Sequence, residues 1–151
     1  MITIDEFKKK LSNGSRLLGI DLGTKRIGIS ISDYNQKIAT PLQTLEKSKK
    51  VKLIDELESI IEENDIKGII IGNPINMNGT YGKSSQSAKD TAINISNKFN
   101  IPVSLWDERL STVGAFNLSS ELDVNVSKRE KDIDKFAAAF ILQGALDFIQ
   151  N

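Results

Sequence analysis

Residues 16–32 carry a period-two pattern that two adjacent strands explain. Leu18, Ile20 and Leu22 fall on one side of the first strand, and Leu17, Gly19 and Asp21 fall on the other. A tight turn at Gly23-Thr24-Lys25 leads into Arg26-Ile27-Gly28-Ile29-Ser30-Ile31-Ser32, a second alternating run. Residues 37–43 predict a third strand, and Pro41, which cannot donate to a ladder, marks it as an edge. From there the period changes. Val51, Ile54, Leu57 and Ile61 recur at helical spacing within 49–64, and Gly68-Ile69-Ile70-Ile71-Gly72 is the continuous apolar run of a buried parallel strand. Residues 73–82 read as a loop. Ser84 or Ser85 then opens a helix with Ala88, Ala92, Ile95 and Phe99 on one face.

Residues 102–106 predict the last strand, which runs into Asp107-Glu108-Arg109. Ser111 or Thr112 starts a helix ending near Leu122, and the polar stretch 123–129 is expected to be mobile. A final helix is expected over 131–150, with Ile133, Ala137, Phe140, Ile141, Gly144 and Phe148 as its buried stripe. At the N-terminus, residues 1–15 predict a short amphipathic helix that packs as an accessory. Thr3 is its N-cap, Asp5 and Glu6 lie in its first turn, Phe7 and Leu11 share a face, and Asn13-Gly14 stops it. From the central hairpin onward, this order gives an α/β domain: a mixed five-stranded sheet, three antiparallel strands followed by two parallel ones, flanked by helices. Ligands in such sheets gather at the carboxyl ends of the parallel strands. The loop after Gly72 and the Asp107-Glu108-Arg109 segment therefore belong side by side.

Composition narrows the chemistry. The 151 residues include neither Cys nor His, which excludes disulfides, Cys/His zinc sites, a Ser-His-Asp triad and histidine acid–base catalysis. Catalysis must use carboxylates, Lys, Arg, hydroxyls or a metal. No run approaches the roughly 18 apolar residues of a membrane span, and no secretory signal pattern is present, so the expectation is a cytoplasmic protein with no membrane partner. Net charge is zero but unevenly placed: residues 1–52 hold 11 basic and 5 acidic side chains, and residues 53–151 hold 9 and 15. Such asymmetry fits a phosphate-facing surface, although a merely solvated lysine-rich face is the commoner and favoured explanation.

Asp21 is the anomaly, because an ionised carboxylate among apolar strand residues costs several kcal/mol unless charge or hydrogen bonds compensate it. It either caps the turn through Thr24 or the Gly23 N–H, or it serves chemistry. Asp107 or Glu108 at the end of the last strand, and Asp134 near the start of the final helix, are the carboxylates that converge with it. Oxygen ligands from separate elements suit Mg²⁺ or Mn²⁺, and two such ions about 3.5–4 Å apart clamp the attacking and leaving oxygens of a phosphodiester.

Four segments carry a resemblance. Asp21-Leu22-Gly23-Thr24-Lys25-Arg26-Ile27-Gly28, Gly72-Asn73-Pro74-Ile75-Asn76-Met77-Asn78-Gly79-Thr80, Asp107-Glu108-Arg109-Leu110-Ser111-Thr112 and Asp134-Lys135-Phe136-Ala137-Ala138-Ala139 resemble the bacterial pre-16S ribosomal RNA nuclease family. That family is also called Holliday junction resolvase-like and lies within the ribonuclease-H-like superfamily. The resemblance covers residues 16–150 and implies a ribonuclease-H-like nuclease domain over 16–151, preceded by an N-terminal extension over 1–15. It implies hydrolysis of phosphodiester bonds with Mg²⁺ or Mn²⁺, two ions in number, in processing the 5′ end of pre-16S RNA. Asp21, Glu108 and Asp134 are its implied catalytic carboxylates, with Asp107 added as a metal ligand, and Thr24, Lys25, Asn76 and Arg109 bind substrate.

Asn73 departs from the apolar residue usual between Gly and Pro, and Asn78 departs from a common Asp. The implied partner is nucleic acid, pre-16S RNA ahead of branched DNA, bound by a monomer or homodimer. Two other classes share parts of the pattern. The first hairpin also resembles the phosphate-binding hairpin of actin-like and sugar-kinase-like ATPases, which need two lobes. A non-catalytic RNA-binding factor could keep the fold without the chemistry.

Overall fold

The structure is a computed structural model that describes residues 1–23, 25–47, 51–74, 82–107 and 126–151, apart from the side chains of 51–52 and 126–135. Alternating apolar residues build β1 (Arg16–Leu22), β2 (Arg26–Ser32) and β3 (Ala39–Glu46), and the apolar runs build β4 (Ile66–Asn73) and β5 (Val103–Asp107). They form one sheet in the order β3-β2-β1-β4-β5, with β1, β2 and β3 antiparallel and β4 and β5 parallel to β1. The mixed sheet expected from the sequence is the one observed. β3 is an edge strand, as Pro41 requires. Ser30 pairs with Pro41 while Ile29 pairs with Gln43, so Leu42 is the extra residue of a bulge beside the proline.

Each face of the sheet buries a different cluster. On one, Leu18, Ile20, Ile27, Ile29, Ile69, Ile71 and Val103 pack against α2 (Val51–Asn64) and α3 (Lys83–Phe99). On the other, Leu17 and Ile70 pack against α1 (Ile4–Lys10) and the long C-terminal helix α4 (Val126–Gln150). Each fully buried Leu or Ile contributes about 1.5–3 kcal/mol. The central strands, covered on both sides, therefore carry most of the stability.

Three expectations change. α4 begins at Val126, so residues 126–129 are helical. Lys128-Arg129-Glu130-Lys131 are good helix formers that need no apolar face to extend a helix already anchored downstream. Its buried face is Ala137, Ala138, Ile141, Leu142, Ala145, Leu146 and Ile149, which keeps Ala137 and Ile141 of the expected stripe, whereas Phe140 and Gly144 are half-buried and Phe148 is 39% exposed, tilted over Trp106. Third, α3 is capped by Gly82 rather than by Ser84 or Ser85. The expected helix over 111–122 lies outside the described residues.

The N-terminal segment is tied down. The Thr3 hydroxyl accepts from the Glu6 N–H and donates to the Glu6 carboxylate, a cap stabilised on both sides of the turn. Ile2 donates its N–H to Val103 O at 2.9 Å, adding a bridge at the β5 edge. Phe7 is wholly buried beneath Gly68, where a Cβ would lie 2.8 Å from the ring.

Candidate active site at the carboxyl end of the sheet

Asp21 is the penultimate residue of the central strand and is only 8% exposed. Leu18, Ile20 and Leu22 belong to the α2/α3 face, so alternation places Asp21 with Leu17 and Gly19 on the α4 face. Its cross-strand partner is Gly28, which has no side chain to cover the carboxylate. The Gly23 N–H donates to the Asp21 main-chain carbonyl at 3.2 Å, so it does not act as a cap for the side chain. Thr24, the other turn candidate, lies outside the described residues.

α4 crosses this face at close range because β1 and β2 present small residues to it. A Cβ on Gly19 would meet Ser30 Oγ and stand 2.7 Å from Leu142 Cβ. Ser30 donates to the Ala138 carbonyl at 2.8 Å, fixing the helix to β2. Further along, Gln143 accepts from the Ala39 N–H and donates to Lys37 O, and Gln150 donates to Gln36 O, beyond the opposite end of β2. α4 therefore runs antiparallel to β1, and its N-terminal part points toward the Asp21 end. Position 134 precedes Ala138 by about one turn, roughly 6 Å of helix rise. Asp21 follows Gly19 by two strand residues, roughly 6.6 Å. The backbone at 134 is thus carried to the level of Asp21.

Asp107 lies at the same end of the sheet. Ile20 pairs with Ile71, Ile71 with Leu105, and Asn73 with Asp107. Its parity is the other one. Leu105 and Val103 pack on the α2/α3 face and Trp106 on the α4 face, so alternation aligns Asp107 with the former. Lys25 is exposed in the hairpin turn, where its carbonyl accepts from the Lys47 N–H at 2.9 Å. Glu108, Arg109 and Asn76 lie outside the described residues, as does the Asp134 side chain.

Asn73, which the sequence pattern assigned to the loop, instead ends β4. Its side-chain carbonyl accepts a 2.6 Å hydrogen bond from the buried Ser85 hydroxyl in the first turn of α3. Asn73 is thus one half of a buried polar pair. A serine two residues into a helix opposite a polar strand end was the available signal.

For a divalent cation the donor chemistry fits, because Asp21 offers a hard carboxylate oxygen near a strand end, opposite a glycine on β2. Among the described residues no group of three or more metal-ligating side chains stands together. None of the described helices is long and apolar enough to cross a membrane.

Comparisons with known proteins agree with this architecture. The family model described as "RuvX: Holliday junction resolvase" matches residues 15–148. A protein of Pelagibacter ubique named "Putative pre-16S rRNA nuclease" is 63% identical over 151 residues, covering all of both chains. A Ruegeria pomeroyi protein of the same name is 42% identical, covering 99% of this chain and 97% of its own. Among solved structures, Thermus thermophilus RuvC in complex with a Holliday junction substrate superposes with a TM-score of 0.57 at 12% identity, covering 91% of this chain and 96% of that one. The fold is shared with that protein, and the chain belongs to the RuvX family of Holliday junction resolvase-like proteins.

Proposed function

We propose that this protein is a cytoplasmic, divalent-metal-dependent nuclease that processes the 5′ end of pre-16S ribosomal RNA; the names of its relatives support a pre-16S rRNA nuclease. The observation that carries the reading is the buried Asp21 carboxylate beside a side-chain-free strand position, with α4 bringing residue 134 to the same level. In this proposal Asp21, Glu108 and Asp134 hold the metal, Mg²⁺ or Mn²⁺, two ions in number. Glu108 is preferred to Asp107 because the parity of β5 gives Asp107 to the opposite face. When bound, the metal supplies Lewis-acid polarisation of the phosphodiester and activation of water.

The chain's own groups do the rest. The low-dielectric sheet behind Asp21 strengthens its attraction for cations, and rigid packing of α4 against Gly19 and Ser30 holds the carboxylates preorganised. Lys25 and Arg109 neutralise substrate phosphates, Arg109 through its forked guanidinium. Thr24 and Asn76 orient the strand being cut. The positive balance of residues 1–52 favours encounter with a polyanion.

The test is cleavage of an RNA spanning the 16S 5′ precursor junction, beside a four-way DNA junction, with Mn²⁺ or with chelator. The wild type should cut the RNA only with metal, and Asp21→Asn should lower the rate by at least 100-fold (about 2.7 kcal/mol) without lowering the melting temperature. Wild-type cleavage by Asp21→Asn would overturn the reading, and exclusive cutting of the DNA junction would replace the RNA substrate with branched DNA.

A further inference from the structure

Opposite the Asp21 face of the sheet, a groove of about 420 Å³ runs between α2 and α3. Leu22 and Ile27, the residues flanking the β1–β2 turn, form its floor together with Leu53 and Ile54 of α2. Lys47 and Lys98 line it, and among the described residues no carboxylate does. Thr91 and Asn94 on α3 add hydrogen-bonding groups to the wall. Along α3 the lining positions run from Ser87 to Lys98, a length of roughly 16 Å at helix rise. A space of this size with an apolar floor, two cations and neutral polar groups suits an amphiphilic anion.

We propose that this groove binds a nucleotide, with its base on the Leu22, Ile27, Leu53 and Ile54 floor and its phosphate on Lys47 or Lys98. Charge selects the anion: both cations are lysines, which suit phosphate as point charges. Thr91 and Asn94 supply the donors and acceptors that a base or sugar requires and an alkyl chain does not. The groove lies across the sheet from the candidate site at the same hairpin end, since Leu22 follows Asp21 directly and the two residues face opposite sides of β1. The same chemistry has two sources, a free mononucleotide or a nucleotide of a strand that wraps the hairpin end toward Asp21. The strand form rests on the nuclease reading above, and the free form does not.

Amide chemical shifts of the full chain, recorded in chelator, test this with AMP, UMP, a six-nucleotide single-stranded RNA, inorganic phosphate and decanoate. Shifts confined to the groove with a mononucleotide assign the free form, and shifts there with the RNA alone assign the strand form. Lys47→Gln and Lys98→Glu, which alter residues outside the apolar floor, should each weaken binding at least fivefold. The proposal is overturned by still groove amides with both mononucleotides and RNA, by affinity unchanged in both variants, or by decanoate or phosphate binding more tightly than any nucleotide. Running the series on Asp21→Asn as well separates the two claims: groove binding that persists while wild-type cleavage proves metal-independent would sink the nuclease reading alone.

Discussion

Asn73 and Ser85 share a 2.6 Å hydrogen bond and both are buried, so removing either partner leaves the other with a buried polar group to satisfy. Replacing Asn73 with Leu leaves the Ser85 hydroxyl stranded and should cost about 1–3 kcal/mol. Ser85→Ala should cost a similar amount by orphaning the amide. In the double variant both polar groups are gone, so its cost in urea denaturation should fall well below the sum of the singles. Additive costs would mean that the pair is not coupled. The anomaly of Asp21 was legible in the sequence because a carboxylate in an apolar strand is costly unless a partner compensates it. The Asn73–Ser85 pair was not, because its energy depends on a strand end meeting a helix start, a juxtaposition set by tertiary packing.

α4 and the β1–β2 hairpin are fitted to each other through absence of bulk. Gly19→Ala places a methyl against Ser30 Oγ and Leu142 and should cost about 1–3 kcal/mol by overpacking. Because the same helix carries position 134, the variant should also lose cleavage in excess of what its stability loss explains, as read by rate at a temperature where it remains folded. Retained stability and rate together would show that the helix has room to shift. The strands could be read from alternation and β4 from its unbroken apolar run, since both patterns follow directly from burial. The phase of α4 could not. Its Ala137-Ala138-Ala139 segment gives no apolar contrast, and the choice of face was made by Gly19 and Ser30 across the gap. The α3 start was misplaced for a related reason, as a buried Ser85 engaged with a strand resembles a capping serine in sequence.

The molecule joins its two ends through one core. Phe7, eight residues before the family match begins at residue 15, is buried with Leu17, Ile70, Leu146 and Ile149, so the N-terminal segment is part of the second cluster. Phe7→Ala should cost about 3–5 kcal/mol, seen as a lowered denaturation midpoint, with metal-dependent cleavage preserved in the folded fraction. A cost below 1 kcal/mol would make the segment dispensable. For the whole molecule the sequence revealed the mixed sheet of three antiparallel and two parallel strands, because connection rules are few. It put Glu108 ahead of Asp107 only through the family resemblance, since the parity of β5 against α4 is set by its packing on the sheet. The central claim is that Asp134, remote in sequence, joins Asp21 in holding a divalent cation. Thermal unfolding of wild type and Asp134→Ala with and without Mn²⁺ tests it most directly, since a ligand bound to the native state raises stability by mass action. The account predicts a melting-temperature rise in wild type that Asp134→Ala largely abolishes; equal rises in the two proteins would contradict it.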